Sequence, residues 1–190
     1  MNGLYVLKPW YAGRLAGVRD RLAARAVPPH AVTAAGVCAG AAAGVALATL
    51  PAGVAAVAVV PLLAARLGAA NLDGGLARQT GRCTPWGAVV NELGDRLADV
   101  ATLAGFFALA PAGWVCAALF AATLPGWMSL AGAAAGAVRV NGGPVGKTER
   151  CLLVAVAAAA GHPVPVLAVL VAGSVLTAGV RLATLYRGLR

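Results

Sequence analysis

The sequence predicts an all-α integral membrane protein: six transmembrane helices plus an N-terminal amphipathic surface helix, in one domain over residues 1–190. Three observations predict it. Of 190 residues, 61% are hydrophobic and 11% charged, against about 25% charged in soluble domains; the mean hydropathy is +0.83. Residues 31–65, 100–138 and 151–180 contain no Asp, Glu, Lys or Arg, and a membrane-spanning helix needs roughly 20 apolar residues. The 15 Lys and Arg gather in the N-terminal segment, the loops near 78–82 and 139–150, the C-terminus, or helix ends beside them.

Residues 8–26 read as the surface helix. Leu15, Val18 and Leu22 repeat at helical spacing, while Arg14, Arg21 and Arg25 fall on another face. With Trp10 and Tyr11, that pattern suits a helix lying in the inner membrane surface. Val27-Pro28-Pro29 ends it. Spans follow near 31–50, 53–77, 84–109, 113–137, 147–161 and 164–184. Their breaks at Pro51-Ala52-Gly53, Pro111-Ala112-Gly113 and Gly161-His162-Pro163 carry no formal charge and share one side of the membrane. The positive-inside rule then puts both termini and both charged loops in the cytoplasm of an inner-membrane, multi-pass protein. No secretory leader is expected, because the first apolar run follows a basic segment and lacks a small-residue cleavage pattern.

The net charge of +9 reads as topology and contact with anionic lipid. The bilayer is the partner; nucleic acid is not, since the basic residues have no soluble domain to sit on. Gly36, Gly40 and Gly44 form a close-packing stripe, within the monomer or between copies. Cys38, Cys83, Cys116 and Cys151 show no paired spacing and read as small buried thiols. Arg66, two turns inside Asp73, pairs with an acid in the bundle or snorkels. Arg181, Arg187 and Arg190 read as surface anchors.

Chemistry concentrates between Asn71 and Asp99. Carboxylates at hydrocarbon depth are costly and mark function by default. Asp73 and Arg78 lie near the cytoplasmic end of the second span. Asn91, Asp95 and Asp99 recur at i, i+4 and i+8 and share one face of the third. A short loop with Gly81 and Pro85 joins these antiparallel spans, so Asp73 can face Asn91 and Asp95. Converging oxygen ligands suit Mg²⁺ or Mn²⁺. Gly74 and Gly87 lack side chains where the helices could open to a ligand, or simply pack. Asp99 reads as an outer partner of Asp95 or as an ion-pair member.

The spacing of Asp73, Gly74, Ala77, Arg78, Gly87 and Asp95, with eight residues from Gln79 to Trp86, resembles the signature of the CDP-alcohol phosphotransferase family. That signature is D-x-x-D-G-x-x-A-R, eight residues, then G-x-x-x-D-x-x-x-D. Pro29-His30-Ala31-Val32-Thr33 resembles the segment before that family's first helix, and Arg139 through Arg150 its basic cytoplasmic loop. The resemblance implies transfer of a phosphatidyl or other substituted phosphate from a CDP-linked donor such as CDP-diacylglycerol to an alcohol, releasing CMP. By position, Asp95 is the catalytic base and a metal ligand, with Asp73 and Asn91 as further ligands. Gly74, Ala77, Arg78 and Gly87 line the CDP pocket. Arg139, Lys147 and Arg150 read as positive-inside anchors or, if the acceptor is phosphorylated, as the groups that bind its phosphate. The family also suggests a homodimer.

Two of the signature's four acidic positions differ: the first is Ala70 and the third is Asn91. Ala70 offers no ligand, and Asn91 only a neutral carbonyl. The alternative is therefore a catalytically impaired homologue that binds nucleotide or lipid, or partners an active subunit. A small transporter ranks last, since no charged residue lines a path through the outer half.

Overall fold

The protein, described here from a computed structural model covering residues 8–189, is a bundle of helices in which no strand occurs among the described residues. The elements are α1 (Lys8–Arg14), α2 (Ala16–Ala24), α3 (Pro29–Thr49), α4 (Val54–Gln79), α5 (Pro85–Ala104), α6 (Ala112–Ala134), α7 (Lys147–Ala160) and α8 (Pro163–Gly188). A 3₁₀ turn at Gly105–Ala108 ends α5 about five residues before the predicted end of that span, and α6 stops short of 137.

Proline and glycine set the boundaries. Pro29, Pro85 and Pro163 each start a helix, where the missing N–H costs nothing. Gly161 closes α7 in the left-handed conformation at φ 69°, which glycine adopts without strain. The Gly53 N–H donates to the Ala158 carbonyl at 2.8 Å. The breaks before α4 and after α7 therefore share one end of the bundle.

α3, α4, α6 and α8 are long and apolar enough to cross a membrane. α5 has 20 residues but carries Glu92, Asp95, Arg96 and Asp99, and α7 has only 14, about 21 Å of helix. The core between these helices holds Leu47, Val59, Leu63, Phe106, Val115, Val154, Leu167 and Leu170.

The surface helix is two pieces with an irregular turn at Leu15, across which the i→i−4 bond from Leu15 N–H to Tyr11 O persists. It is pinned to α4. The Tyr11 hydroxyl donates to Ala64 O at 3.1 Å, Arg19 Nε to Gln79 Oε1 at 2.6 Å, and Gln79 Nε2 to Asp20 Oδ1 at 3.0 Å. Leu22, Ala23 and Val27 cover Val32, Ala69 and Leu76.

The glycine stripe of α3 packs inside the monomer. A Cβ on Gly36 would lie 3.0 Å from Ala69 Cβ of α4, one on Gly40 3.0 Å from Ala98 O, and one on Gly44 2.2 Å from Ala101 O of α5. Gly44→Ala therefore forces α3 and α5 apart. The expected cost is about 1–3 kcal/mol, read as a lower midpoint of thermal unfolding in detergent; an unchanged midpoint would contradict this packing.

Candidate active site

α4 and α5 run antiparallel, joined by residues 80–84, and their charged ends meet beside the start of α3. Asp73 is buried on α4. Its Oδ2 accepts a hydrogen bond from Thr33 Oγ1 of α3 at 2.9 Å, and its Oδ1 accepts from the Gly74 N–H at 2.6 Å. Asp95 of α5 is ion-paired with Lys147, the first residue of α7. Both carboxylates line one small cavity, shared with Thr33, Arg66, Ala70 and Gly94. It measures about 10 Å³, near the size of one water.

The sequence-derived residues divide here. Asp73 and Asp95 come together as expected. Ala70 lines the same cavity, so the first signature position faces the site and contributes only a methyl group. Asn91 is half-buried one turn from Asp95 and is not among the residues lining the cavity. Gly74 and Arg78 are adjacent on the last turns of α4, where a Cβ on Gly74 would sit 3.5 Å from Arg78 Nη1. Ala77 is half-buried beside them and Arg78 is exposed. Gly87 lies exposed in the first turn of α5; its N–H donates to the Thr84 hydroxyl at 2.9 Å, which caps that helix.

α5 carries three charged layers, one turn apart. Outermost, Glu92 accepts from Arg96 Nη2 at 2.7 Å and from Arg139. Next comes Asp95 with Lys147. Deepest, Asp99 bridges Arg66 Nη2 at 2.5 Å and Arg150 Nη2 at 2.7 Å, and Arg66 Nη1 lies 2.9 Å from Cys151 Sγ. Arg66 and Arg150 are 3% and 5% exposed. The basic residues Arg139, Lys147 and Arg150 therefore each meet an acid of α5, and Arg66 does not snorkel.

Two cavity-lining positions and one internal brace carry little signal in the sequence. Thr33 lies in a segment marked in the sequence only by its resemblance, and Gly94 has no signal beyond its place before Asp95. Arg181 is no surface anchor. It donates to Pro125 O at 2.7 Å, Ser129 Oγ at 2.8 Å and Gly142 O at 2.9 Å, tying the 135–146 loop to α6. Arg190 lies outside the described residues.

Among the described residues, no three His, Cys, Asp or Glu side chains gather closely enough to hold a metal by themselves. The arrangement offers two carboxylates, a hydroxyl between helices and a ring of cations. That combination suits a ligand bringing its own phosphate oxygens.

No protein-family profile matches the chain. An Escherichia coli relative, the inner membrane protein YnbA, is 37% identical over 84 residues, which span 43% of this chain and 42% of that protein. The solved structures give a fuller match. The Mycobacterium tuberculosis phosphatidylinositol phosphate synthase with CDP-DAG bound superposes with a TM-score of 0.69 at 24% identity, covering 90% of this chain and 92% of that one. The same enzyme in complex with manganese and citrate gives 0.69 at 23% identity, covering 90% and 88%. At nearly full coverage of both chains, this protein has the fold of the Mycobacterium tuberculosis phosphatidylinositol phosphate synthase.

Proposed function

We propose that this protein is a CDP-alcohol phosphotransferase of membrane phospholipid synthesis. It transfers a phosphatidyl or similar substituted phosphate group from a CDP-linked lipid to an alcohol and releases CMP. The observation that carries this reading is the cavity between α4 and α5. It holds Asp73 and Asp95 at the signature spacing, in a fold whose solved relative binds CDP-DAG.

The residues fit one Mg²⁺ or Mn²⁺ better than two. Such ions are commonly held by one or two carboxylates together with substrate phosphates, which is the donor set here. Ala70 supplies no oxygen, and Glu92, Asp95 and Asp99 already meet the five cations Arg66, Arg96, Arg139, Lys147 and Arg150 in the same region. Asp73 and Asp95 would hold the ion, and Asn91, one turn from Asp95, would offer only a neutral carbonyl oxygen. When bound, the ion would neutralise charge on the diphosphate as its bond breaks.

The chain's own groups supply the rest. Gly74, Ala77, Arg78 and Gly87 form the face for the CDP moiety, with Arg78 the cation for its phosphates. Arg139 and Lys147 stand where a phosphorylated acceptor would compete with Glu92 and Asp95 for them, whereas Arg150 is buried against Asp99 and braces the bundle. Asp95 takes the proton of the acceptor hydroxyl. The acceptor oxygen then bonds to the phosphorus bearing the lipid group, the diphosphate P–O bond breaks, and CMP leaves with the bridging oxygen.

Six membrane spans complete the reading, α5 and α7 crossing with the four longer helices because their charges and short length are covered by the bundle. The charge-free breaks share one end, and the loops rich in Lys and Arg share the other. This supports an inner-membrane protein with termini and site in the cytoplasm, as does the E. coli relative's description as an inner membrane protein. A homodimer would use the exposed apolar face of α5, where Trp86, Val89, Leu93, Leu97 and Val100 lie.

The test is CMP release by the purified protein with Mg²⁺ or Mn²⁺, from CDP-diacylglycerol and a panel of alcohols. Metal-dependent release that tracks one alcohol is expected. Silence across the panel, with the Ala70→Asp/Asn91→Asp variant active, would overturn catalysis by the natural chain in favour of a binding or partner role.

A further inference from the structure

We propose that Thr33 is a positioning residue for Asp73, and that Gly94 is the notch that sets it. This role rests on Asp73 as a metal ligand, proposed above. Thr33 belongs to α3, and reaches between α4 and α5 to line the cavity. Its hydroxyl has one proton and two acceptors in range, Asp73 Oδ2 at 2.9 Å and Pro29 O at 3.3 Å. The carboxylate is closer and charged, so it takes the proton, because hydrogen bonds to ions are roughly twice as strong as neutral ones. The Gly74 N–H holds the other oxygen. Each oxygen of Asp73 thus has one fixed donor, the plane of the carboxylate is set, and one lone pair on each remains for a ligand.

The rotamer of Thr33 is imposed by Gly94. A Cβ at position 94 would stand 2.5 Å from Thr33 Cγ2, closer than carbon atoms approach. Only glycine lets that methyl seat against α5, and with the methyl seated the hydroxyl is turned toward Asp73. The residue preceding Asp95 on one helix thereby orients Asp73 on another.

Outer hydrogen-bond partners of metal ligands typically carry about 10–100-fold in metal affinity. The experiment is Mn²⁺ binding to the detergent-purified full chain with CMP present to supply phosphate oxygens, read from the free-ion electron paramagnetic resonance signal against a protein-free CMP blank and without turnover. Thr33→Val keeps the shape, removes the hydroxyl, and is expected to weaken Mn²⁺ by about 10-fold or more. Thr33→Ser is expected to recover most of that loss. Gly94→Ala is expected to weaken Mn²⁺ while leaving the hydroxyl present. The double variant Thr33→Ser/Gly94→Ala is expected to recover binding, because serine has no Cγ2 to collide.

Wild-type affinity in Thr33→Val would overturn the proposal. So would failure of serine to rescue either background, since that would mean the methyl packing matters and the hydroxyl does not. If Thr33→Val does not fold, the Gly94→Ala pair decides alone. A natural protein that binds no Mn²⁺ would overturn the metal reading of Asp73 itself, an outcome separable from loss in the variants only.

Discussion

Asp95→Asn is expected to slow CMP release by about 10²–10⁴-fold, the range over which a positioned general base acts. Asparagine matches the volume of aspartate, so the packing of α5 against α3 is kept. What changes is the charge and the ability to take a proton. The Asp95 side chain is 24% exposed and Lys147 27% exposed, so loss of their pair is a small matter for stability. Reduced turnover with an unchanged unfolding midpoint would place the effect in chemistry or metal binding. An Asp95→Asn protein as active as the natural one would sink the assignment.

Asp99→Asn is expected to act in the opposite way, through stability. Asp99 is 7% exposed and joined to two guanidinium groups that are themselves buried. Removing one partner of a buried ion pair leaves uncompensated charge and costs about 3–5 kcal/mol. Here both Arg66 and Arg150 would be stranded at once. The Nε atoms of both arginines already lack hydrogen-bond partners within the protein, which adds to the cost. Reversible unfolding from bilayer-mimicking micelles would measure it. Replacing the cluster together, as Arg66→Met/Asp99→Leu/Arg150→Met, should recover much of the loss, since well-packed apolar groups often equal a buried ion set. A change in Asp99→Asn no larger than that of a typical surface substitution, about 0.5 kcal/mol, would contradict the cluster's role.

The contrast between these two aspartates bears on how much was legible beforehand. They lie four residues apart on one helix face, and periodicity leaves Asp99 either an outer partner of Asp95 or an ion-pair member. The structure separates them by partner: Asp95 opens on the cavity with Asp73, and Asp99 is held one turn deeper by Arg66 and Arg150. Arg150 shows the same effect. Its place in a basic loop suggested an acceptor contact, yet its burial and bond to Asp99 follow from the angle at which α7 enters the bundle. Gly36, Gly40 and Gly44 were visible as a stripe, and only the fold assigned that stripe to α4 and α5 of the same chain.

By itself the sequence determined where the long helices start, that the chain belongs in a membrane, and which segment carries carboxylates at a characteristic spacing. Those properties are local: proline and glycine act on their own residues, hydropathy sums over about 20 of them, and a helical face repeats every 3.6. The tertiary structure decided the pairing of Arg66 with Asp99 across 33 positions, the hydrogen bond of Arg66 to Cys151 across 85, and the reach of Thr33 to Asp73. Which side chains meet across helices depends on each helix's rotation and depth, and those are set by packing the whole bundle at once.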